Sequence, residues 1–332
     1  MKPSAPLLLV FCLVMSQNSY SQQIPHCLSL LVFGNMTFLC NSSSLHEFPV
    51  GFPTQTKMIS VQATQISSLG AEALQGLPEL QRLLLSNNQL KTLPSGLFRN
   101  LPQLNTLDLS NNLLEDLEPQ LFANAGSLTD IFLNKNQLAK LRPSWFVTLE
   151  KLKTLQLKDN QLKEIPTSCF SKQTQLFLLD LSFNLLRCLS PEMFRGLTSL
   201  TFLNLNNNPI QSIAPNTFHG SSTLWVLLLG NNSLTHVPAG LFQSLKDLGK
   251  LDLSNNEITS LDSPLVNELT YEFTLDLNGN PWTCDCRLQA LFNWAQKPNV
   301  ELSSKEDIVC AFPKSLKGQV ATSLNGSQLC GC

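Results

Sequence analysis

The chain has 332 residues, of which 43% are hydrophobic and only 14% are charged. Its 22 basic and 24 acidic side chains give a formal net charge of −2 at pH 7, which excludes the strongly basic class of nucleic-acid-binding proteins. Ten cysteines together with several N-x-S/T motifs favour a protein of an oxidising, extracellular compartment.

Residues 1–23 predict a secretory signal peptide that is removed from the mature chain. Lys2 is followed by an apolar run from Ala5 to Met15. As a helix this run would span about 16 Å, or about half of a bilayer core. No later segment approaches 18 consecutive apolar residues, so we expect a released protein without membrane insertion.

Residues 24–55 predict an N-terminal cap. Cys27 and Cys40 bracket the segment CLSLLVFGNMTFLC, which is typical of a β-hairpin closed by one disulfide. A cap is needed because the first unit of a stacked array would otherwise expose its apolar end to water.

Residues 56–280 repeat a 24-residue unit of the form L-x-x-L-x-L-x-x-N-x-L. This is the leucine-rich-repeat pattern, in which one unit is too small to enclose a core and must stack on its neighbours. The alternating L-x-L predicts a short strand with one buried face, and successive strands would pair as a parallel sheet. The predicted fold class is α/β: a leucine-rich-repeat solenoid, curved like a horseshoe, with short parallel β-strands on its concave face, an irregular convex side and disulfide-tied caps.

Each unit carries an asparagine at the position where the chain bends after the strand. An inward amide can pair main-chain groups of its own and the next turn, and each buried group left unpaired would cost about 1 to 3 kcal/mol. We therefore interpret this column as a structural ladder. It comprises Asn88, Asn112, Asn136, Asn160, Asn184, Asn208, Asn232, Asn256 and Asn280. A second column, of phenylalanines from Phe98 to Phe242, predicts a spine along the convex side.

The outward strand positions form a candidate partner-binding surface on the concave face. They hold six aspartates against four cations, so this face leans acidic. Large apolar groups within a polar rim usually mark a protein interface. L-D-L-S-x-N is also a common form of the repeat, so the aspartates have a second, structural explanation. The residues inferred to bind a partner are Asp108, Phe132, Asp180, Phe183, Phe202, Trp225, Asp252 and Asp276.

Four N-x-S/T motifs predict N-glycosylation of the secreted chain. They stand at Asn35, Asn41, Asn231 and Asn325. A glycan on Asn231, at the edge of a strand, would narrow the accessible concavity.

Residues 281–332 predict a cysteine-rich C-terminal cap. The segment NPWTCDCRLQALFNW resembles the cap of extracellular leucine-rich-repeat proteins, in which a short amphipathic helix covers the last turn. Leu288, Leu291 and Phe292 would form the inward face of that helix.

The resemblance to that cap implies two disulfides, Cys284 with Cys310 and Cys286 with Cys330. Sequence alone leaves other pairings open, including pairings that use Cys332. The C-D-C spacing also occurs in zinc sites, but a disulfide cap is favoured in a secreted chain.

Cys169 and Cys188 lie in adjacent repeats, five positions apart in register. Two alternatives stay open for them, a disulfide or two buried thiols. Removal of Cys12 with the signal peptide leaves nine cysteines, an odd number. We expect Cys332 to be free, to pair between chains or to carry a small thiol.

No catalytic motif supports an enzyme. The four histidines are scattered, and the chain has no G-x-S-x-G elbow, metal-binding histidine pair or phosphate-cradling glycine loop. We expect neither catalysis nor a metal or other cofactor.

The uninterrupted repeats, the signal peptide and the cap NPWTCDCRLQALFNWAQ together resemble the serum leucine-rich alpha-2-glycoprotein family. Within it, the segments QNSYSQQ and NSSSLHEFP and the C-terminal CGC are similar to the beta-type phospholipase A2 inhibitors of snake blood plasma.

This resemblance implies a plasma protein that captures basic group II phospholipase A2 without a covalent bond, as a homotrimer, and so protects the animal against venom enzyme. It assigns no contact residues; those above are inferred from the repeat register. Two other functions stay open: modulation of growth-factor signalling or binding of cytochrome c, as in mammalian members, and matrix organisation by a proteoglycan. Against the last, the chain lacks an acidic or tyrosine-rich extension and clustered Ser-Gly sites.

Overall fold

The computed structural model describes residues 24–261 and 272–330, which form a curved stack of leucine-rich coils capped at both ends. The predicted signal peptide, Cys332 and the side chain of Cys330 lie outside the described residues. The predicted fold class is confirmed.

Thirteen of the described strands form a single sheet on the concave side, and they follow one another in chain order. Their bounds are β1 Cys27–Val32, β2 Asn35–Cys40, β3 Thr56–Val61, β4 Arg82–Leu84, β5 Thr106–Asp108, β6 Asp130–Phe132, β7 Thr154–Gln156, β8 Leu178–Asp180, β10 Phe202–Asn204, β12 Val226–Leu228, β13 Lys250–Asp252, β14 Phe273–Asp276 and β16 Val300–Ser303. Two further pairs lie outside this sheet: β9 Cys188–Leu189 with β11 Ser212–Ile213, and β15 Trp282–Thr283 with β17 Cys310–Phe312.

The α-helices among the described residues are short. They are α1 Pro143–Phe146 on the convex side, α2 Cys286–Ala295 in the C-terminal cap and α3 Gly326–Cys330 near its end. Elsewhere on the convex side the described residues form mainly turns, with one 3-10 helix at Pro191–Met193. The prolines in that part of most repeats favour this irregular structure.

Parallel pairing brings equivalent residues of successive repeats into direct register. Leu83 pairs with Leu107 and Leu107 with Ile131, and all three are fully buried. Burial of each such side chain is favourable by about 1.5 to 3 kcal/mol, but only once its neighbours are stacked. The 24-residue period therefore places every buried leucine against its equivalents on both sides.

The asparagines link each coil to the preceding one through main-chain hydrogen bonds. The Nδ2 group of Asn160 donates to the carbonyl oxygens of Leu133 and Leu157, at 2.9 and 3.0 Å. Its Oδ1 atom accepts from the backbone N–H of Leu138 at 3.0 Å. Equivalent bonds recur from Asn112 to Asn280. At Asn88, which begins the ladder, Oδ1 instead accepts from the N–H and hydroxyl of Thr64.

The phenylalanine column is buried inside the convex side. Its seven members are at most 3% exposed, and several adjacent rings lie against each other. The ring centroids of Phe98 and Phe122 are 5.9 Å apart, and those of Phe146 and Phe170 are 5.4 Å apart. These rings fill the space that the short turns leave between coils.

Both caps close the core with disulfides. Strands β1 and β2 form the N-terminal hairpin, in which Cys27 is disulfide-bonded to Cys40. In the C-terminal cap Cys284 is bonded to Cys310, and Cys286 is also in a disulfide.

Helix α2 covers the last coil with its apolar face. Leu288 and Leu291 are at most 1% exposed and Phe292 is 7% exposed, so the predicted inward face is confirmed. The side chain of Asp285 caps the helix by accepting from the N–H of Arg287 at 2.9 Å. Beyond it, β16 pairs with β14 and extends the concave sheet past the last repeat, which the repeat pattern did not predict.

Cys169 and Cys188 are free thiols, and neither sequence-based alternative describes both of them correctly. Cys169 is buried, and this burial raises the pKa of its thiol to about 12. Cys188 is exposed at the start of β9, because the five-residue offset places it at a different point of the coil.

Candidate protein-binding surface

The concave face presents one outward residue between each pair of buried leucines. Strand pairing aligns these residues in a continuous row, which we call the central row. It contains Ser60, Leu84, Asp108, Phe132, Gln156, Asp180, Asn204, Leu228, Asp252 and Asp276. Side chains facing the same way on adjacent strands can touch a common partner, because such strands are about 4.8 Å apart.

Beside the central row, five apolar residues that lie on or directly before three adjacent strands form what we call the apolar patch. They are Phe177, Leu178, Phe202, Trp225 and Val226. Phe177 and Trp225 are 41% and 53% exposed, while the other three are half-buried. An apolar surface of this kind, with polar groups around it, is typical of a protein-binding site.

Sequence reasoning identified Phe202 and Trp225 as binding candidates but missed Phe177 and Leu178. Phe177 precedes Trp225 by two complete repeats, so the same register that identified Trp225 could have found it. Leu178 lies directly beside Phe202 in the sheet, yet a leucine in this repeat is readily taken for a core residue.

Trp225 lies over Gly249 of the next repeat. A Cβ atom at Gly249 would come within 2.5 Å of the Trp225 ring, so glycine is the residue that allows the ring to lie there. The apolar patch thus has a large aromatic anchor whose position is supported by the neighbouring coil.

Phe183 lies at the opposite end of the same coil's strand segment from Phe177. It is 47% exposed, and the Nζ of Lys158 is 5.0 Å from the centre of its ring. Its backbone has φ of 55°, in the left-handed region, where Asn111, Asn207 and other repeats mostly carry asparagine. A phenylalanine is unfavourable in this conformation, so its presence has no explanation in the stability of the fold.

Phe132 does not join these aromatics. It belongs to β6 and is half-buried, and β7 separates it from Leu178 of the apolar patch. Of the four aromatic residues inferred from the sequence, Phe202 and Trp225 lie on adjacent strands, Phe183 lies across the sheet from them, and Phe132 stands alone.

The aspartates of the central row have a local structural role. In Asp108, Asp180 and Asp252, one oxygen accepts from the serine two residues later, from its N–H at 2.9 Å and from its hydroxyl at 2.6 to 2.7 Å. The Oδ1 atom of each of these aspartates therefore has a structural role, because it binds the serine of its own repeat. Oδ2 of Asp252 accepts from Asn206 two repeats earlier, at 3.2 Å.

Acidic groups concentrate at the C-terminal end of the concave sheet. Asp252 and Asp276 are neighbours in the central row. Burial raises the pKa of the Asp276 carboxyl, and the nearby charge of Asp252 raises it further. The negative charge of Asp307 also raises the pKa of Asp276. The backbone N–H of Asn278 and the charge of Lys250 oppose this rise. Asp108 and Asp180 have no carboxylate beside them in the row.

Two lysines flank the apolar patch within the sheet. Lys153 precedes Phe177 by one repeat, and Lys250 pairs with Val226. Both are exposed. The concave face is thus a mixture of charges in which four aspartates lie in the central row and these two cations lie on either side of the patch.

All four predicted glycosylation sites are exposed to solvent. Asn231 lies just after β12, in the same left-handed position as Phe183 two repeats earlier. The Oδ1 atom of Asn325 caps α3 by accepting from the N–H of Gln328 at 3.0 Å. Glycosylation of these residues remains a prediction.

The described residues contain no group of three or more histidine, cysteine, aspartate or glutamate side chains that could hold a metal ion. Within the same part of the chain, no helix has the length and apolar character needed to cross a membrane.

A shallow cavity of about 420 Å³ lies beside Trp225, and Lys246, Asp247 and Glu272 contribute to its lining.

Two curated relatives share a segment of high identity with the chain. One is a phospholipase A2 inhibitor of Gloydius brevicaudus siniticus, 64% identical over 92 residues, and the other is a phospholipase A2 inhibitor beta of Elaphe climacophora, 63% identical over 92 residues. Each match covers 27% of this chain and 28% of the relative's length.

Solved structures and a family pattern give the wider relationship. A chain from an octameric complex of Latrophilin 3, Unc5D and the LRR of FLRT2 superposes with a TM-score of 0.69 and 24% identity, covering 87% of this chain and 95% of that one. At this identity the likeness concerns the fold. Overlapping matches to the leucine rich repeat family extend from residue 54 to residue 281. Because these matches span more than half of its length, the chain belongs to the leucine-rich-repeat family.

Proposed function

We propose that this protein is a secreted inhibitor that holds a basic, group II phospholipase A2 non-covalently in its concave face and so protects against venom enzyme. The observation that carries the proposal is the combination of the apolar patch with the acidic central row on one open surface. The 64% identity to a phospholipase A2 inhibitor over 92 residues supports this enzyme class as the partner.

The apolar patch supplies the anchoring contacts. Trp225 and Phe177 are large, exposed and adjacent to further apolar side chains, and aromatic residues of this kind carry most of the binding energy in many interfaces. Removal of one such anchor typically costs more than about 1 kcal/mol of binding free energy.

The carboxylates favour a basic partner. Complementary charge accelerates encounter and selects against partners of the same sign. Screening by salt weakens such steering between exposed charges, since the Debye length falls to about 8 Å at physiological ionic strength. Binding that is strongest for basic isoforms and declines with added salt is therefore expected.

The sheet is wide enough for a whole protein. Twelve spacings between the thirteen strands, at about 4.8 Å each, give an inner arc of about 58 Å. A compact partner of about 100 residues has a radius of gyration of about 13 Å and fits within this arc.

Secretion into blood plasma is part of the proposal. The disulfides at both caps are typical of oxidising compartments, and the exposed N-x-S/T motifs are open to glycosylation. A homotrimer is also proposed. The exposed apolar residues Leu28, Leu31 and Phe33 on the N-terminal hairpin support self-association, and light scattering of the purified protein measures the number of chains.

The test of the inhibitor function is hydrolysis of phospholipid vesicles by a purified basic group II phospholipase A2. We expect the rate of hydrolysis to fall towards zero as enough protein is added to bind every enzyme molecule. Trp225→Ala should weaken inhibition by about tenfold or more, whereas Val147→Ala should not. Val147 is a suitable control because it is 55% exposed but lies on the convex side, just after α1. Undiminished hydrolysis in stoichiometric excess of the protein would exclude this function.

A further inference from the structure

The apolar patch lies directly beside the central row, which carries carboxylates near both ends of the patch. The patch spans β8, β10 and β12, and carboxylates lie in the adjoining row at both of its ends. Asp180 is on β8 at one end, and Asp252 and Asp276 follow on β13 and β14 beyond the other end. Three strand spacings separate Asp180 from Asp252, or about 14 Å.

An apolar area edged by anions is also the chemistry of an anionic membrane surface. A soluble enzyme that acts on phospholipids must adsorb to such a surface, and adsorption uses apolar side chains bordered by lysine and arginine. The concave face of this protein presents the complementary pattern in a rigid form.

We propose that the concave face binds the lipid-facing surface of the phospholipase, so that capture of the enzyme and its adsorption to a membrane exclude each other. This inference rests on the inhibitor function proposed above and specifies which surface of the enzyme is covered. The apolar patch would take the place of the acyl region, and the central-row carboxylates would take the place of anionic headgroups.

The groups involved are held in position before the partner arrives. Trp225 is supported on Gly249, and the hydrogen bonds from Ser182 and Ser254 orient the carboxylates of the central row. A surface that is already ordered loses little conformational entropy on binding, whereas lipid headgroups must be rearranged. The inhibitor can therefore compete with a membrane for the same enzyme surface.

Lys153 and Lys250 set the orientation of the enzyme. Because like charges repel, cations of the enzyme should avoid the two sides of the patch where these lysines lie and should sit over the central row. This gives the partner one preferred direction across the sheet.

The experiment is sedimentation with vesicles of equal parts phosphatidylglycerol and phosphatidylcholine. The enzyme is a basic group II phospholipase A2 whose active site has been covalently inactivated, so that the vesicles stay intact. We expect the enzyme alone to sediment with the vesicles. With an equimolar amount of inhibitor, we expect both proteins to remain in the supernatant.

The variants give a quantitative readout. Trp225→Ala should require about tenfold more protein to release the same fraction of enzyme, and Gly249→Ala should act in the same direction because it displaces the ring. Val147→Ala, and Gly70→Ala, whose added Cβ would have no atom within 4 Å, should behave as the unaltered protein.

The outcomes separate the two proposals. Sedimentation of inhibitor and enzyme together on the vesicles, while hydrolysis by active enzyme is still inhibited, would overturn the membrane-surface inference and leave the inhibitor function intact. If the equimolar mixture gives enzyme on the vesicles and inhibitor in the supernatant, and hydrolysis by active enzyme is unaffected, both proposals are overturned.

Discussion

The ring of Trp225 occupies the space in which a side chain at Gly249 would stand, with only 2.5 Å between the ring and the position of a Cβ atom. Gly249 is therefore a positioning residue for the exposed tryptophan of the concave face. The backbone of Gly249 does not require a left-handed conformation, so alanine is compatible with the fold itself.

We expect Gly249→Ala to displace the Trp225 ring and to weaken capture of the phospholipase by about tenfold, while the free energy of unfolding changes by less than about 1 kcal/mol. The change is visible by fluorescence, because the other three tryptophans are buried and Trp225 is 53% exposed. Gly70→Ala is the control. Equal effects of the two variants on binding would contradict the positioning role.

The left-handed backbone of Phe183 predicts a conflict between stability and binding. Left-handed backbone costs about 1 to 2 kcal/mol for most residues, and asparagine tolerates it better. The contact with Lys158 returns about 0.5 to 1 kcal/mol at an exposed site. Phe183→Asn should thus raise the free energy of unfolding by about 0.5 to 1 kcal/mol and weaken capture several-fold.

The reverse change tests the same argument one repeat later. Asn207 has φ of 57°, so Asn207→Phe should lower the free energy of unfolding in urea titrations. A gain of stability in Asn207→Phe would show that backbone strain is not the cause.

The pKa of Asp276 predicts a pH-dependent effect on stability. Burial raises this pKa above the usual 3.8, and Asp252 and Asp307 add to the rise, while the N–H of Asn278 and the charge of Lys250 oppose it. A carboxyl with a raised folded-state pKa is destabilising where it is ionised. This penalty is complete above the raised pKa and absent below 3.8, where both folded and unfolded states are protonated.

Asp276→Asn should therefore raise the free energy of unfolding at neutral pH, and the gain should disappear as the pH falls below about 3.8. It should also weaken binding of a basic enzyme. Asp108→Asn is the matched control, because Leu84 and Phe132 are its neighbours in the central row and no carboxylate is removed from an acidic pair. An equal gain in the free energy of unfolding at neutral pH and below pH 3.8 would rule out ionisation of Asp276 as its origin.

The asparagine ladder predicts a large stability effect at a residue remote from the binding surface. Asn160→Ala leaves the buried N–H of Leu138 without its partner. It also removes one of two donors from the carbonyl oxygens of Leu133 and Leu157, which keep their bonds from Asn136 and Asn184. At about 1 to 3 kcal/mol for the unpaired N–H, the free energy of unfolding should fall by about 1 to 3 kcal/mol. Asn100→Ala, at an exposed site, should change the thermal unfolding midpoint little. Similar midpoints for the two variants would refute the ladder's role in stability.

Most of the candidate binding surface could be predicted because of the strict period of the chain. A spacing of 24 residues without insertion places Asp252 beside Asp276 and Phe202 beside Val226 as soon as parallel pairing is assumed. The same arithmetic places Phe177 one strand from Thr201 and two from Trp225. In contrast, Phe132 has the correct register, but it lies too far along the sheet to join the apolar patch.

The sequence alone determined the architecture of this protein, because side-chain alternation and a fixed repeat length decide which residues face inward and which equivalents become neighbours. The tertiary structure decided the positions, the exposure and the hydrogen bonds of the outward side chains. Three of these features depend on backbone angles and side-chain volumes in adjacent coils. They are the position of the Trp225 ring over Gly249, the left-handed backbone of Phe183, and the hydrogen bond from a nearby serine to one aspartate oxygen. The same is true of the exposure of Cys188 and of the extension of the sheet by β16. These features arise from contacts between specific atoms, which a repeat pattern does not encode.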